Sequence, residues 1–142
     1  MRWLLLDEVI SIQKKSKALA HSHVPEGPVS PEPLLMEMMA QTGGLLLGAE
    51  KNFQEDIIFA KIETADFFDP RPGEALEIEA SSDSLRPEGG WVDAAVKTRE
   101  GRIVAQSRFL LMSVGRLQPG IPEPIVFHEN FMKHFRIREK VL

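Results

Sequence analysis

Cysteine and tyrosine are both absent from the 142 residues of this chain. Without cysteine there is no disulfide, no thiol nucleophile and no thiolate ligand for zinc. Without tyrosine, no phenol can serve as a general acid. A strong excess of either charge is also missing: 17 Lys and Arg against 21 Asp and Glu leave a formal net charge of −4. That is the wrong sign for a general nucleic-acid binder, which needs a basic excess. Long clean apolar runs are lacking too. The opening "MRWLLLDEV" is greasy only from Trp3 to Leu6, too short for the core of a signal peptide. The longest apolar stretch, residues 33 to 49, is interrupted by Glu37 and Gln41 and does not read as a bilayer span. A cytoplasmic protein is the expectation.

Hydrophobic residues make up 43% and charged residues 27% of the chain, the balance of an ordinary globular protein, and the length suits one domain with a sizeable core. "WLLLDEVISI" (3 to 12) and "KALAHSH" (17 to 23) read as extended segments, with Val9, Ile10 and Ile12 favouring strand and a polar turn between. A loop follows, "VPEGPVSPEP", with four prolines in ten residues.

"PLLMEMMAQTGGLLLGAEKN" then predicts a helix. Ser30 can cap it, Pro31 suits its first position, and Glu32 suits the positive end of its dipole. From Pro33 to Lys51 it would run about 28 Å. It is apolar nearly all round, so it should be enclosed. Its exceptions, Glu37, Gln41, Gly44 and Gly48, are spaced i, i+4, i+7 and i+11 and share one narrow face. Such a face begins polar and ends without side chains, so another backbone or a slim ligand can approach closely. Met36, Met38 and Met39 read as core filler.

Beyond the helix the pattern turns to strands: "DIIFAKIETADFF" (56 to 68), "ALEIEASS" with Leu76, Ile78 and Ala80 alternating against Glu77 and Glu79, "WVDAAVKTR", and "RIVAQSRFLLMSV". Turn signals, "DPRPGE", "RPEGG" and Glu100-Gly101, separate them. The expectation is two short strands, one long helix and four strands in a meander. Residues 116 to 124, "RLQPGIPEP", read as a linker, dividing a domain over 1–115 from a tail over 116–142. In the tail Phe127, Phe131 and Phe135 lie at helical spacing, with Lys133, Arg136, Arg138 and Lys140 around them. A short amphipathic helix docking on the body or on a partner subunit is expected; a basic binding surface is the alternative.

The fold class is therefore α+β, with a strongly twisted antiparallel sheet wrapped around one central helix. One sheet covers only part of such a helix, and the uncovered face predicts a homodimer.

His23 and Glu37 are the strongest chemical pair. A neutral imidazole takes a proton near neutral pH, and a carboxyl group at a greasy site is held protonated by desolvation. Two groups with opposed proton roles suit an elimination or an isomerisation. The competing structural reading makes His23 a strand-end histidine and Glu37 an edge carboxylate. His21-x-His23 with Glu26 could ligate a metal, but the remaining histidines, His128 and His134, are in the distant tail. No phosphate-loop spacing and no G-x-S-x-G elbow occurs.

The segment "HVPEGPVSPEPLLMEMMAQTGG" resembles the signature of bacterial 3-hydroxyacyl-acyl carrier protein dehydratases with the hot-dog fold. That pattern runs approximately H-F-P-G-H-P-V-M-P-G, four residues, then E-A-x-A-Q-x-x-G. His23, Pro25, Pro28, Val29, Pro31, Glu37, Ala40, Gln41 and Gly44 stand at the expected places. "WLLLDEVISI" is similar to the family's first strand, and "FAKIETADFFDPRPGEALEIE" resembles its F-A-x-I strand and P-G turn. The likeness covers about residues 3 to 114.

The resemblance implies that His23 takes a proton from C2 of a 3-hydroxyacyl thioester, while Glu37 of the other subunit helps the C3 hydroxyl leave as water. It implies a substrate site around Pro31, Glu32, Gln41 and Gly44, with a backbone N–H at the helix start facing the thioester carbonyl. The acyl chain would lie in an apolar tunnel along the helix and the subunit interface. No metal or organic cofactor is implied. The substrate would ride on acyl carrier protein or coenzyme A, and the dimers could assemble further. The chain departs from the pattern at Glu32, where the family has glycine, and at Glu26-Gly27. The family's basic residues after the F-A-x-I strand are represented by Asp66, Phe68 and Asp69, which leaves the tail from Lys133 to Lys140 as a docking surface for an acidic carrier. An acyl-thioester hydrolase on the same fold, with Glu37 activating water, and a non-catalytic acyl-binding dimer are the alternatives.

Overall fold

The computed structural model describes residues 5–118, 120 and 124–142; residues 3 and 4 of the expected first strand and positions 119 and 121–123 of the expected linker lie outside them. Val9 and Ile12 turn inward from β1 (Glu8–Gln13), and Ala18 and Ala20 do so from β2 (Lys17–His23). The two form a hairpin with Glu8 opposite His21. Helix α1 (Pro31–Glu50) follows, 20 residues and about 30 Å long. Then come β3 (Ile57–Phe67), β4 (Ala75–Ser81), β5 (Gly89–Thr98) and β6 (Ile103–Ser113), and two short helices, α2 (Glu129–His134) and α3 (Ile137–Lys140).

The six strands form one sheet in the order β1-β2-β4-β5-β6-β3, all pairs antiparallel. This corrects the expected four-strand meander. β4, β5 and β6 do meander, but β3 pairs with β6 rather than with its sequence neighbour β4. The free side of β4 is taken by β2 across seven residue pairs from Lys17–Ser81 to His23–Ala75. The connection from β3 to β4 carries Pro70 and Pro72, which cannot donate to a ladder, and it crosses over the end of the sheet.

One face of the sheet grips α1. Leu76, Ile78 and Ala80 of β4, Val92 and Val96 of β5 and Phe109 and Leu111 of β6 are buried, as are Leu35, Met38, Met39, Leu45, Leu46 and Leu47 of the helix. A methyl group on Gly43 would stand only 3.0 Å from the Phe109 ring, so the helix backbone itself rests on the sheet there. The expected hot-dog architecture, a sheet wrapped around one long helix, is what the chain forms. Among the described residues no helix is long and apolar enough to cross a membrane.

Enclosure of the helix is incomplete within one protomer. Leu34, Met36, Glu37, Ala40, Gln41 and Gly44 are only half-buried and form one continuous face. The sheet edges are also unequal. At one end Leu142 donates its N–H to the carbonyl of Ile12 and Val141 bridges β1. At the other end β3 stands open, with Ile58, Phe59 and Ile62 exposed.

Candidate active site

His23 is the last residue of β2, and its neighbours explain why it stays there. Val24 donates its N–H to the carbonyl of Glu74 at 2.8 Å and accepts from the N–H of Gly73 at 2.9 Å. Gly73 has φ +80, which favours glycine in the P-G-E turn; the Glu26 carboxylate, the end of a flexible side chain, lies 3.0 Å from where its Cβ would stand. Glu74 is held in turn by Arg102, whose Nη2 donates to both carboxylate oxygens at 2.7 Å while Nη1 donates to the carbonyls of Phe68 and Asp69 at 3.0 Å. The Arg102 hydrogen bond holds the Glu74 carboxyl below the ordinary carboxylate range. The β5–β6 hairpin thus pins the loop that presents His23.

The imidazole has a partner that sequence reading missed. Asp7 Oδ2 lies 2.8 Å from His23 Nδ1. An ionised carboxylate only accepts, so in the neutral ring Nδ1 carries the proton and the Nε2 lone pair is the one that can act as a base. A signal was present in the hairpin register. Counting back from the Lys14–Ser16 turn without interruption sets residue 7 opposite His23, and the irregularity between Val9 and Ser11 moves the pairing by one, to Glu8 opposite His21, which still leaves residue 7 alongside residues 21 to 23.

Glu37 lies on the half-open face of α1. Burial pushes its carboxyl above the ordinary carboxylate range, partly offset by the hydrogen bond that Gln41 Nε2 donates to Oε1 at 3.4 Å. Gln41 Oε1 meanwhile accepts the N–H of Leu5 at 3.3 Å, and the Leu5 carbonyl accepts from the Ser22 hydroxyl. Glu37, Gln41, the segment before β1 and the Asp7–His23 pair are therefore tied into one hydrogen-bonded frame. Among the described residues no hydrogen bond or ion pair joins His23 directly to Glu37 within one protomer.

The helix start is sparse in donors. Pro31 and Pro33 carry no N–H, so Glu32 supplies the only backbone donor among the first three helical residues. Ser30 holds the N-cap position, but its side chain makes no capping bond, a correction to the expected cap. Glu32 itself is half-buried and makes no ion pair among the described residues. The stripe Glu37, Gln41, Gly44, Gly48 also needs correcting. Nothing lies within 4 Å of a Cβ built on Gly44, whereas one on Gly48 would meet the Phe127 ring at 2.6 Å. The open face ends at Gly44 because the tail covers Gly48.

The metal alternative fares poorly on geometry. His21 Nε2 turns to Glu77 at 3.6 Å and His23 Nδ1 to Asp7, and among the described residues no three His, Asp or Glu side chains converge on one point.

No family model matches the chain. It is similar to the 3-hydroxyacyl-acyl-carrier-protein dehydratase FabZ of Rickettsia akari (strain Hartford), with 32% identity over 126 residues that cover 78% of this chain and 85% of the relative. It is also similar to the bifunctional enzyme LpxC/FabZ of Chlorobaculum tepidum, at 30% identity over 122 residues, 76% of this chain. Of that longer protein the match spans only 26%. Among solved structures, the dehydratase heterocomplex ApeI:P from Xenorhabdus doucetiae superposes with a TM-score of 0.66 at 17% identity, over 80% of this chain and 84% of that one, a likeness of fold.

Proposed function

The chain belongs to the family of 3-hydroxyacyl-acyl-carrier-protein dehydratases, and on that premise we propose that it removes water from a 3-hydroxyacyl thioester to give the trans-2-enoyl thioester. The observation that carries the reading is the state of the two acid–base groups. His23 is held by Asp7 with Nε2 free to accept, and Glu37 is biased by burial towards the protonated donor. Opposed proton roles set by environment are what an elimination needs.

In this reading His23 Nε2 takes the C2 proton, and the electron pair moves into the thioester carbonyl. The Glu32 N–H at the head of α1 faces the developing oxyanion. As the pair returns, the C2–C3 double bond forms, the C3–O bond breaks, and Glu37 gives its proton to the departing hydroxyl, which leaves as water. Transfer of the imidazolium proton to the Glu37 carboxylate restores both groups. Every proton is accounted for without a metal or an organic cofactor. Pro31, Glu32, Gln41 and Gly44 form the substrate-facing part of the site.

A homodimer belongs to the same proposal, with Glu37 of one subunit meeting His23 of the other. Two surfaces support it: the half-buried face of α1 and the open edge of β3, whose apolar residues would otherwise present an unpaired template for other strands. The cytoplasmic location and fatty-acid or related acyl-chain biosynthesis as the setting remain part of the reading. The acyl carrier can be an acidic protein or coenzyme A. The basic tail is a weakened candidate for docking a carrier, since Lys133 pairs with Glu129, Arg136 with Glu139 and Lys140 with Glu8, while Arg138 donates to Asn52.

The test is an incubation of the protein with 3-hydroxyacyl and plain acyl thioesters, each on coenzyme A and on carrier protein. Enoyl product that disappears in His23→Ala and in Glu37→Gln supports the dehydratase. Free thiol released from plain acyl thioesters, with no enoyl product, would replace it by the hydrolase. Tight binding of acyl thioesters without either product would leave the non-catalytic dimer.

A further inference from the structure

Gly44 and Gly48 lie one turn apart on the same face of α1, yet their surroundings are opposite. Above Gly44 there is open space; above Gly48 stand the rings of Phe127 and Phe53, with a built Cβ at 2.6 Å and 3.0 Å from them. From Glu37 the open run therefore extends about 10 Å along the helix axis to Gly44 and is blocked by about 16 Å at Gly48. The blocking ring comes from the far end of the chain and is firmly placed. Phe127 packs edge-on against Phe53 at 5.3 Å and against Phe131 at 5.9 Å, and Phe131 packs on Phe135 at 5.1 Å. All four rings are buried.

The approach to Phe127 is fixed as well. Asp56 is fully buried, and its two carboxylate oxygens accept the N–H of Leu117 at 2.9 Å and of Ile125 at 2.7 Å. One side chain thus holds both ends of the connection between the sheet and the tail. Residue 127 emerges from that clasp directly over the end of the helix face.

We propose that Phe127 is a specificity-determining residue: it closes the far end of the acyl channel along α1 and restricts this chain to short- and medium-length acyl groups. The inference rests on the dehydratase reading and goes beyond it by naming what sets the length limit. An apolar tail that runs from the reacting carbons past Gly44 meets the Phe127 ring before it passes Gly48. Longer tails must displace a ring held by two aromatic neighbours.

The experiment compares kcat/KM for 3-hydroxybutyryl, 3-hydroxydecanoyl and 3-hydroxyhexadecanoyl thioesters in the wild-type protein, Phe127→Ala and Phe131→Ala. Phe131 belongs to the same ring stack, but the groups nearest a Cβ on Gly48 are Phe127 and Phe53, so Phe131 controls for a loosened tail. The expected result is that the hexadecanoyl-to-butyryl ratio rises about tenfold or more in Phe127→Ala, as removal of bulk from an apolar pocket does, and stays unchanged in Phe131→Ala. Phe127→Leu keeps an apolar group over Gly48 and is expected to shift the ratio less, in the same direction; it serves where the alanine variant melts below the assay temperature. Wild-type protein that already prefers the hexadecanoyl substrate, or a ratio that does not move in either Phe127 variant, overturns the end-stop and leaves the dehydratase standing. Absence of enoyl product from every wild-type reaction overturns the dehydratase reading and the end-stop with it.

Discussion

Replacing Gly48 by alanine asks whether the tail really sits on the helix. In a helix interior, glycine to alanine ordinarily stabilises by about 0.5–1 kcal/mol, because the glycine backbone loses more freedom on folding. At Gly48 that gain is opposed. The new methyl group would lie 2.6 and 2.8 Å from Phe127 ring carbons and 3.0 Å from Phe53, well inside contact distance. Phe127 cannot swing aside freely, since Phe53 and Phe131 flank it. Overpacking of this kind costs about 1–3 kcal/mol, so the backbone gain of about 0.5–1 kcal/mol should be cancelled or reversed, to a net loss of up to about 2.5 kcal/mol. For a domain of this size that corresponds to a melting point unchanged or lower by up to roughly 10 °C. Urea titration should show any drop in midpoint at unchanged slope, the mark of altered stability rather than an altered unfolded state. Gly44→Ala is the reference: with nothing within 4 Å of its Cβ, it should keep the full gain in the isolated protomer. A Gly48→Ala protein more stable than wild type by the ordinary gain of about 0.5–1 kcal/mol would refute the packing of Phe127 on α1.

Three further predictions follow from other contacts. Asp56→Ala leaves two backbone N–H groups without their carboxylate acceptor, each worth about 1.5–3 kcal/mol; a loss of about 3–6 kcal/mol is expected by chemical denaturation, and a loss under about 1 kcal/mol would mean that Asp56 is not the clasp. Asp7→Asn should lower kcat about tenfold or more with KM little changed, and imidazole nitrogen NMR shifts should show His23 losing its single Nδ1–H tautomer; an unaltered tautomer would show that Asp7 does not orient the ring. Glu37, whose carboxyl is pushed above its ordinary value in the folded protein, contributes stability that is fully present below the unfolded value of about 4.5 and is lost as pH rises through the folded value. Glu37→Gln removes that dependence, so the stability of the variant relative to wild type should increase with pH across this window, as measured by melts at stepped pH; a difference that stays flat or falls would contradict the raised carboxyl.

The sequence carried the local facts and missed those made by distant residues. Alternation of Leu76, Ile78 and Ala80 with Glu77 and Glu79 identified β4 and its inward face, and β2 was legible to the residue because Lys17 and His23 bound an alternating run. The position of β3 was not legible. Its own pattern says only that it is a strand; which edge it joins depends on β2 having taken the side of β4 that a meander would use. The loop and the helix start that carry His23 and Glu37 could be read directly from Pro, Gly and the apolar period, while the pairing of the two as acid and base came from the family resemblance and belongs to the proposed function. Asp7 escaped because its meaning lies in hairpin register, and Gly48 escaped because its neighbour Phe127 is remote in sequence.

That last contact changes how the glycine stripe is understood. Read along the helix, Gly44 and Gly48 are equivalent, two side-chain-free positions on one face. In the folded chain they do opposite things. Gly44 keeps space empty, as a substrate or a second backbone requires, and Gly48 lets the chain's own Phe127 ring rest on the helix. The same residue type thus opens the face at one turn and allows it to be closed at the next. Glu37 and Gln41 stand at the open end, with the carboxyl and its amide partner already hydrogen-bonded. A face that begins at an acid and ends at a ring has a definite length, and a channel of definite length selects among acyl chains without contacting their functional groups. In the reaction and the end-stop proposed above, catalysis and selection fall at opposite ends of one helix, and a substitution at either end should leave the other's readout intact.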